Sequence, residues 1–444
     1  MRRVVVIGAG VIGLSCAYEL RRRGLEVILL DKGEPGGACS RGNTGWVVRS
    51  FAGPLPAPGL TWTSLKWMAS ADSPLYIRPS AIPSMAGWLL KFWKKCNERD
   101  YREGLDAVAR LSEPTMDLFD DLDADGAVGE MHSSGLLCAF SRDAALQSMM
   151  KTLEAIAAYG QIRPRILSAQ EAREQEPALS SVVTGAIVLE GERHVRPEAF
   201  NDALRERAER YGVEVRPGTE VCCQVREGRE VRALITASQG APEESLRGGG
   251  PRAAGGPCGL ETGIPTSRSP LEADAFVIAA GAWSGLLAER FGISLPLQAG
   301  KGYSITITPP AVNLNGPVYI PERKIVTSPF AGALRIGGTM ELSGVNDDLD
   351  ERRIGAIRRG AERFLPGSLE GAGASEWVGM RPLMPDGLPV IGRAPGYDNL
   401  YIATGHAMLG VTLAPATAQA IADLILDGHT SLPIGAFAAS RFAR

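Results

Sequence analysis

The hydrophobic pattern at the N-terminus predicts a strand, a tight turn and a helix. Residues 4–7 are consecutive apolar residues, typical of a strand buried on both faces of a parallel sheet. A helical pattern over residues 14–23 ends at Gly24, because glycine readily adopts the left-handed conformation that follows a last helical turn. A second apolar run over residues 25–30 ends at Asp31. This order of elements predicts a βαβ unit.

Similar patterns predict the elements that follow. An amphipathic helix over residues 197–211 ends before Gly212, which again serves as the C-cap. The other predicted elements are strands at 185–189, 213–216, 221–225 and 400–403, an apolar strand ending in a glycine turn over 275–284, β-like runs between 295 and 376 that include 303–307 and 334–337, and helices at 350–364 and 411–426. Parallel strands with helices between them, followed by a β-rich stretch, predict an α/β fold with a second, β-rich part.

Several segments lack a regular pattern. Residues 36–45 are rich in glycine and small polar residues, which predicts a loop able to wrap a ligand with backbone amides, or a plain surface turn. Residues 236–270 contain few aliphatic side chains, so we predict a mobile loop that joins two strands of a hairpin. The acidic run at 120–125 lacks the glycine and final glutamate of a calcium loop and is interpreted as a solvated helix end.

The stretch from residue 51 to 114 is rich in proline and tryptophan and then becomes helical. Its aromatic and basic residues are Trp62, Trp67, Trp88 and Trp93 with Lys91, Lys94 and Lys95. The last helix, which carries the lysines, could touch a membrane surface. The alternative is that the aromatic residues pack inside a substrate domain while the lysines are solvated.

Composition narrows the classes of function. With 444 residues the chain exceeds the size at which single cores divide, so two domains are expected. A net charge of −3 gives no general attraction to nucleic acid or to an anionic surface. The seven cysteines show no CxxC spacing, which favours a reducing cytosol, and no zinc-ligand spacing or nucleophile-elbow motif is evident. No apolar stretch approaches the roughly 20 residues that cross a bilayer.

The N-terminal glycines have the spacing of a dinucleotide-binding turn. Gly8 allows the turn, Gly10 lets the backbone approach the phosphates, and Gly13 lets the helix lie close on the strand. Unpaired backbone N–H groups and the positive end of the helix dipole then face one point, where a pyrophosphate fits. Asp31, about twenty residues further on, is placed to accept hydrogen bonds from ribose hydroxyls.

A second candidate region lies near the C-terminus. Arg381 stands between Gly379 and Pro382, and Gly405-His406 precedes the predicted long helix. A planar guanidinium can give two parallel hydrogen bonds to a carboxylate and so fix a ligand in one orientation. An ordinary surface salt bridge is the alternative for this arginine.

Taken together, these motifs resemble the D-amino-acid oxidase superfamily of flavoproteins, most closely its bacterial D-amino-acid dehydrogenase branch. The resemblance covers nearly the whole chain, through the N-terminal glycines, the loop at 40–45, the segments at 279–284 and 301–304, and the block at 379–382. Residues 52–185 and the insertion at 236–270 depart from the family pattern, which leaves substrate choice open.

The resemblance implies FAD as the cofactor and a site made by both ends of the chain. The implied cofactor residues are Gly8, Gly10, Val11, Ile12, Gly13, Asp31, Lys32, Ser40, Arg41, Asn43, Thr44, Gly45, Val221, Ala280, Gly281, Arg381, Gly405, His406, Gly410, Val411 and Thr412. Near the flavin pyrimidine, the backbone amides and helix dipole of residues 405–412 would stabilise the negative charge of the reduced ring.

The resemblance also implies the residues that act on substrate. Arg381 would bind the substrate carboxylate, and His406 would donate to the flavin, act as a pH-sensitive group or contribute only its backbone. Tyr303 would line the substrate pocket or simply pack, and Lys301 would sit near the flavin and influence its reactivity with oxygen.

The fold expected from the resemblance has two domains, both discontinuous in sequence. A Rossmann-like FAD-binding domain would comprise residues 1–50, 190–292 and 376–444. A β-rich mixed-sheet substrate domain would comprise residues 51–189 and 293–375, and residues 236–270 would form a flexible insertion.

The expected activity is the FAD-dependent oxidation of a D-amino acid or a cyclic imino acid of the D-proline or hydroxyproline type. Electrons would pass to a quinone or an electron-transfer protein, in the cytoplasm or at the inner face of the cell membrane. The alternatives are an amino-acid or sarcosine/glycine-type oxidase that releases hydrogen peroxide, a flavin-dependent RNA-modifying protein, and an FAD-binding protein without catalysis.

Overall fold

The computed structural model describes residues 2–51, 53–60, 73–157, 159, 162–238 and 270–442. Most of the predicted insertion at 236–270 lies outside the described residues, as do Trp62 and Trp67. The described residues form a mixed α/β fold in which two large sheets are joined by helices and two small sheets.

The first large sheet has six strands and carries the N-terminal βαβ unit. Its strands follow the order Glu214–Arg216, Glu26–Leu30, Arg3–Ile7, Ala275–Ile278, Leu400–Thr404 and Val390–Arg393. All neighbours are parallel except the last pair. The consecutive apolar residues of the first strand are buried on both faces, because Val4 and Val6 pack in one core cluster and Val5 and Ile7 in another.

One face of this sheet is covered by three helices. They are Val11–Arg22, Pro197–Tyr211 and Gly410–Leu426. The first helix packs against both of the others, and apolar residues such as Phe200 and Leu413 fill the space between helices and sheet. The N-terminal and C-terminal segments of the chain therefore meet in the same core.

The second large sheet has nine strands and is mixed. Eight of them follow the order Ala374–Leu383, Gln298–Ile307, Ala333–Leu342, Ile325–Phe330, Val318–Ile320, Leu136–Phe140, Gly185–Leu189 and Pro164–Ser168, and Leu75–Ile77 pairs beside Ala333–Leu342. The helix Glu351–Phe364 packs on one face through Ile354 and Ile357, which contact the same core as Tyr303, Ile305 and Ile336.

Two three-stranded sheets complete the described strands. One contains Thr219–Glu227, Glu230–Ser238 and Pro270–Glu272, so the two strands that flank the insertion pair as the predicted hairpin. The other contains Trp46–Val47, Arg193–Val195 and Met131–His132. This second small sheet connects the loop at 36–45 to the nine-stranded sheet.

The remaining helices lie around the two large sheets. They are Ile82–Lys95, Glu98–Ser112, Thr115–Ala124, Asp143–Ala157, Ala169–Gln175 and Ser284–Glu289. Within the described part of the chain, no helix is both long enough and apolar enough to cross a bilayer.

Most elements lie where the hydrophobic pattern predicted them. The strand Gly185–Leu189 and the helix Pro197–Tyr211 have the predicted bounds, and Gly212 is left-handed with a φ of 99°. The first helix begins earlier than predicted, at Val11, because Gly10 is its N-cap. Boundaries shift by a few residues elsewhere, as expected where capping rather than hydrophobicity decides them.

The acidic run at 120–125 forms a helix end, and Asp120, Asp121 and Asp123 are exposed as predicted, but Asp125 has a structural role that the interpretation missed. Asp125 accepts hydrogen bonds from Tyr18 at 2.7 Å, from Tyr211 at 2.8 Å and from Arg207 at 2.7 Å. The Arg207 guanidinium, together with both tyrosines, holds the pKa of Asp125 well below its usual range. This carboxylate therefore joins three helices, and no periodicity in the sequence reveals that role.

The predicted boundary at residue 376 falls inside an element. The strand Ala374–Leu383 pairs along its whole length with Gln298–Ile307 in the nine-stranded sheet. Arg381 therefore stands on the larger sheet, not on the six-stranded sheet. The two-domain division stays a prediction, with this strand on the side of the larger sheet.

The cysteines are not all free thiols. Cys16, Cys39, Cys138 and Cys222 are free thiols. Cys223 is disulfide-bonded, which the predicted reducing cytosol does not favour.

Candidate active site

The N-terminal turn is closed by glycines whose neighbours leave no room for a side chain. Gly8 has a φ of 106°, and a Cβ at this position would lie 2.5 Å from the carbonyl oxygen of Ala279. A Cβ on Gly13, in the helix Val11–Arg22, would lie 1.7 Å from the carbonyl oxygen of Gly8. These contacts agree with the predicted need for glycine, since the helix can approach the strand only without side chains.

The start of this helix faces polar groups from two other segments. The amide of Val11 donates to Ser40 Oγ at 2.9 Å, and the amide of Ala9 donates to Asp31 Oδ2 at 2.7 Å. Asp31 Oδ1 accepts from the amide of Gly33 at 2.8 Å. The turn, the end of the second strand and the loop that carries Ser40 therefore meet at the positive end of the helix dipole.

The loop at 36–45 is braced by its own side chains. Asn43 Nδ2 donates to the carbonyl oxygens of Cys39 at 3.2 Å and Ser40 at 3.0 Å, and Asn43 Oδ1 accepts from the amide of Gly45 at 2.8 Å. Gly45 is left-handed, and a Cβ there would lie 1.8 Å from the carbonyl oxygen of Val195. These contacts fix the loop in a single conformation.

The larger sheet also holds this loop. Arg335 Nη1 donates to the carbonyl oxygen of Asn43 at 2.9 Å, and its guanidinium is paired with Glu198. Ser304 Oγ donates to the carbonyl oxygen of Gly42 at 2.7 Å. The loop follows the N-terminal βαβ unit, and these contacts hold it against the adjacent face of the nine-stranded sheet.

One cavity of about 1600 Å³ extends from the N-terminal turn to Arg381. Most of the predicted site residues line it, namely Gly8, Gly10, Val11, Ile12, Asp31, Lys32, Ser40, Asn43, Thr44, Gly45, Val221, Ala280, Gly281, Tyr303, Arg381, His406, Gly410 and Val411. Gly13, Arg41, Lys301, Gly405 and Thr412 do not line it. The structure therefore brings both ends of the chain to a single cavity.

Arg381 lies at the end of the cavity away from Asp31. Its guanidinium passes over Gly302, where a Cβ would lie 2.2 Å from Cζ, and Nη1 donates to the carbonyl oxygen of Thr339 at 3.0 Å. The surrounding protein lowers the pKa of Arg381, with only the nearby Cys39 thiol acting in the opposite direction. Within the described residues no carboxylate pairs with Arg381, so N–H donors remain for a ligand.

Lys301 and Tyr303 do not bring their side chains to this point. They alternate with Gly302 on the strand, and successive side chains of a strand point to opposite faces. Lys301 Nζ donates to Asn346 Oδ1 and to the carbonyl oxygen of Asp348, each at 2.8 Å. Tyr303 packs in the core under the helix Glu351–Phe364, although part of the residue borders the cavity.

These two residues share a buried carboxylate. Tyr303 donates its hydroxyl to Glu341 Oε2 at 2.6 Å, and Lys301 Nζ lies 3.3 Å from Glu341 Oε1. Burial alone would raise the pKa of Glu341, but hydrogen bonds from Tyr303 and Ser343 and the charge of Lys301 outweigh it and lower the pKa. This network stabilises the sheet on the face opposite Arg381.

The C-terminal segment forms another wall of the cavity. His406 is almost fully buried, and its Nε2 lies 3.0 Å from Thr417 Oγ1. Nδ1 has no hydrogen-bond partner among the described residues, and burial lowers the pKa of His406 to about 3. Ala407 has a φ of 49°, uncommon for a residue other than glycine, and is held by the carbonyl oxygen of Pro382.

Several predicted cofactor residues have structural contacts of their own. Thr412 does not line the cavity; its Oγ1 donates to the carbonyl oxygen of Trp46 and accepts from the amide of Val48, both at 3.2 Å. Lys32 lies 4.1 Å from the centre of the Trp283 ring, and burial lowers its pKa. Arg41 is exposed.

Sequence reasoning missed residues that shape the cavity from a distance in the chain. Trp377 packs on Gly42 and Gly379, since a Cβ at either position would lie within about 2 Å of the indole. Arg335, described above, was also missed, because the loop that it holds lies far from it in the chain. Gly42 and Gly379 are the only signal of this packing in the sequence, and a glycine does not show which ring occupies the space beside it.

An aromatic cluster lines part of the cavity. Trp46, Phe51 and Tyr319 contact one another, with the Tyr319 ring edge-on to both partners at 5.7 Å and 5.3 Å. Aromatic rings in these arrangements form a rigid apolar wall. The cavity thus combines an apolar wall with the guanidinium of Arg381, as expected for a small-molecule site.

The chain is similar to a family of known proteins over most of its length. Residues 3–424 match the family of FAD dependent oxidoreductases, DAO. A D-amino acid dehydrogenase of Sinorhizobium medicae is 33% identical over 451 residues, which cover 99% of this chain and 100% of that protein. A D-amino acid dehydrogenase of Rhizorhabdus wittichii is 31% identical over 447 residues, with 99% and 100% covered.

Solved structures have the same fold. Glycine oxidase from Geobacillus kaustophilus is similar with a TM-score of 0.72 and 21% identity, covering 99% of each chain. L-proline dehydrogenase from P. horikoshii has a TM-score of 0.72 and 20% identity, covering 99% of this chain and 97% of the other.

The residues of the cavity fit FAD. The turn at Gly8 and Gly13 excludes side chains where a pyrophosphate would lie, and Asp31 stands where a ribose would lie. At the other end, the buried His406 Nδ1 has no partner among the described residues, and the helix Gly410–Leu426 begins at the cavity wall. Both ends of the cavity therefore offer groups that a dinucleotide can satisfy.

Proposed function

Because the chain belongs to the DAO family of FAD-dependent oxidoreductases, we propose that it oxidises a D-amino acid or a D-proline-type cyclic imino acid. The D-amino acid dehydrogenase relatives, similar over the full length, support this substrate class. One observation carries the proposal. Arg381 has no carboxylate partner among the described residues and lies in the same cavity as the dinucleotide turn.

Arg381 would bind the substrate carboxylate. The guanidinium lies flat over Gly302 and is anchored by the carbonyl oxygen of Thr339, so its free N–H groups have a fixed direction. A bidentate contact to a carboxylate would orient the α-carbon with little further loss of freedom. When bound, FAD supplies the acceptor for the hydride that leaves this carbon, as cofactors of this class do.

The other residues of the cavity would position the reactants. Trp46, Phe51 and Tyr319 would exclude water around the α-carbon. His406 would remain neutral, because burial keeps its pKa near 3, and it would contact the cofactor as a polar group without charge. The substrate amine would have to bind in its neutral form or lose its proton to solvent.

The proposed cofactor contacts follow the cavity. Gly8, Gly10 and the start of the helix Val11–Arg22 would hold the pyrophosphate, Asp31 the ribose, and Val221 the adenine. The loop residues Ser40, Asn43, Thr44 and Gly45 would lie along the flavin side, and Gly410 and Val411 near the pyrimidine. Gly13 and Thr412 would act by fixing the backbone, since neither lines the cavity.

The acceptor of the electrons would be a quinone or an electron-transfer protein, reached at a membrane surface. The helix Ile82–Lys95 supports this, because Ile82, Leu90 and Trp93 are 41%, 51% and 56% exposed. Lys91 and Lys94 are exposed beside them, and Trp93 also lines the cavity. An apolar stripe with adjacent lysines is typical of helices that lie in an anionic membrane interface.

Flotation with anionic vesicles tests this surface. Trp93→Ser should lower the bound fraction, whereas Val345→Ser, which removes another exposed apolar side chain away from the cavity, should not. Equal flotation of both variants would exclude the helix as the contact.

An anaerobic bleaching screen tests the proposed activity. Purified holoenzyme is mixed without oxygen with D- and L-amino acids, N-methyl amino acids and prolines, and loss of the flavin absorbance is followed. Bleaching by D-amino acids or D-prolines alone is the expected result. Bleaching confined to L- or N-methyl substrates would contradict it, and bleaching by none would favour a binding protein without catalysis.

The nearest rival activity is an oxidase. The aerobic reaction of the same enzyme distinguishes it, since an oxidase releases one hydrogen peroxide for each substrate, whereas a dehydrogenase turns over only when a quinone or dye is supplied.

A further inference from the structure

Lys324 is another cation of the cavity, and its backbone conformation is unusual. It occupies the turn between the strands Val318–Ile320 and Ile325–Phe330 and lines the same cavity as Arg381. Its φ is 53°, a region that few residues with long side chains adopt, and its amide donates to the carbonyl oxygen of Pro321 at 3.3 Å. A glycine or asparagine would suit the turn better, so the turn itself does not explain a lysine.

The register of the sheet places Lys324 close to Arg381. Ile325 pairs with Gly338, so Lys324 stands beside Thr339, the next residue of the neighbouring strand. The carbonyl oxygen of Thr339 is the group to which Arg381 Nη1 donates. Since neighbouring strands lie about 4.8 Å apart, two long cationic side chains on either side of Thr339 can contact one small molecule.

Neither cation is compensated by the protein. Within the described residues, no carboxylate or carbonyl contacts Lys324 Nζ, and no carboxylate pairs with Arg381. Glu322, the acidic residue of the same turn, also lines the cavity, but its carboxylate is engaged by Ser141 Oγ at 2.6 Å and by Arg142 at 3.4 Å. Lys324 reaches solvent, but the protein atoms around it lower its pKa, so an anion bound there would restore lost solvation.

We propose that Lys324 binds a second carboxylate of the substrate and that the preferred substrates are acidic D-amino acids. The α-carboxylate binds Arg381, and the side-chain carboxylate of a D-aspartate or D-glutamate binds Lys324. This inference rests on the proposed function and names the substrate class of the same site. It requires no additional step, because Lys324 acts on binding and orientation alone.

The test compares each acidic substrate with its neutral amide. Anaerobic flavin reduction is measured with D-glutamate against D-glutamine and with D-aspartate against D-asparagine. The wild-type enzyme should favour the acid about 10- to 100-fold in the second-order rate constant of flavin reduction, the range of a charge-assisted hydrogen bond. Lys324→Met should abolish the preference by lowering only the value for the acid, and Lys324→Arg should restore part of it.

A matched control and a binding measurement complete the experiment. Arg323→Met removes the neighbouring cation of the turn, which does not line the cavity, and should leave both substrates unchanged. Glutarate and butyrate, which are not oxidised, are titrated into the holoenzyme while the flavin spectrum is followed. Glutarate should bind more tightly than butyrate in the wild type and equally in Lys324→Met.

The outcomes separate this inference from the proposed function. Rapid bleaching by neutral D-amino acids, with no preference for the acids and no effect of Lys324→Met on glutarate, would overturn the inference and leave the proposed function intact. An equal loss for acid and amide in Lys324→Met would also overturn it. Bleaching by no D-amino acid would overturn both.

Discussion

The two faces of the nine-stranded sheet use the same strand in opposite ways. On the face toward the cavity, Gly302 leaves space for the Arg381 guanidinium, which has no carboxylate partner in the described structure. On the face toward the helix Glu351–Phe364, Lys301 and Tyr303 have their charges and hydroxyls fully engaged by Glu341 and its neighbours.

Neighbouring residues of this strand therefore have different roles, ligand binding on one face and stability of the fold on the other. A cation left without a partner costs solvation free energy that a ligand can restore, so the cavity face is suited to binding. A buried ion pair that is hydrogen-bonded on every side has nothing left for a ligand, and breaking it destabilises the fold. Three changes in this sheet test whether the faces are divided in this way, and a fourth change, at His406, tests another wall of the cavity.

The largest expected effect is on the cavity face. Arg381→Met should lower kcat/KM for the substrate roughly a thousandfold, because two charge-assisted hydrogen bonds to a carboxylate contribute about 2 kcal/mol each. The flavin should stay bound, and the thermal midpoint should change little. Steady-state kinetics measure kcat/KM, the flavin-to-protein absorbance ratio measures how much flavin stays bound, and thermal unfolding gives the midpoint. The exposed Arg393→Met is the control. Unchanged kinetics would remove the carboxylate role.

On the opposite face, Lys301→Met should act on stability. It leaves the buried Glu341 with Arg78, 3.5 Å away and partly exposed, as its only cation among the described residues, which costs about 3 kcal/mol of the free energy of unfolding. KM for a neutral substrate should remain within about threefold, since the ammonium does not line the cavity. Urea unfolding and kinetics on the same preparation provide the two values. A large rise in KM at unchanged stability would place Lys301 in the binding machinery.

A smaller effect is expected from Gly302→Ala. The new Cβ would lie 2.2 Å from Arg381 Cζ, and the guanidinium, as the end of a flexible side chain, would move away. We expect kcat/KM to fall about 10- to 100-fold, the effect of losing one charge-assisted hydrogen bond, with little loss of stability. The double variant with Arg381→Met should be no slower than Arg381→Met alone. Additive losses would mean that Gly302 acts by another route.

The smallest effect at neutral pH is expected from His406→Asn. Burial keeps the pKa of His406 near 3 in the folded protein, compared with 6.5 when exposed, so the ring is neutral during catalysis. The pH profile of kcat/KM between about pH 5 and pH 9 should therefore keep its shape.

The same histidine should affect stability in acid. Its folded pKa lies below the unfolded value, so its contribution is present above pH 6.5 and is lost as the pH falls toward 3. His406→Asn should make the acid loss of unfolding free energy shallower, by up to about 1.4 kcal/mol per pH unit. A variant curve as steep as that of the wild type would show that this imidazole is not the group that titrates.

The first half of the cavity could be predicted from local sequence because it is built from backbone. Gly8, Gly10 and Gly13 lie within six residues, and each is needed for a turn or a close approach that the spacing itself implies. Asp31 follows at the end of the next strand. No information about distant segments was required.

The substrate half could be predicted only in part. Arg381 was predicted because its residue type and flanking glycine and proline suggest a carboxylate contact, and the structure places it in the cavity. Lys301 and Tyr303 were drawn from the same motif as Gly302, but which face of the sheet they occupy depends on pairing partners far away in the chain. Asp125, Arg335 and Trp377 act on helices and loops distant in sequence, and no periodicity reveals such partners.

The sequence by itself therefore determined the order of elements, the dinucleotide turn and the one guanidinium suited to a carboxylate. These follow from hydrophobic periodicity and from the conformational freedom of glycine, which act over a few residues. Only the tertiary structure decided which alternate residues of the large sheet face the cavity and which cations remain without partners. That choice depends on strand register, since a shift by one residue exchanges the two faces, and register is set by contacts between segments that are far apart in the chain.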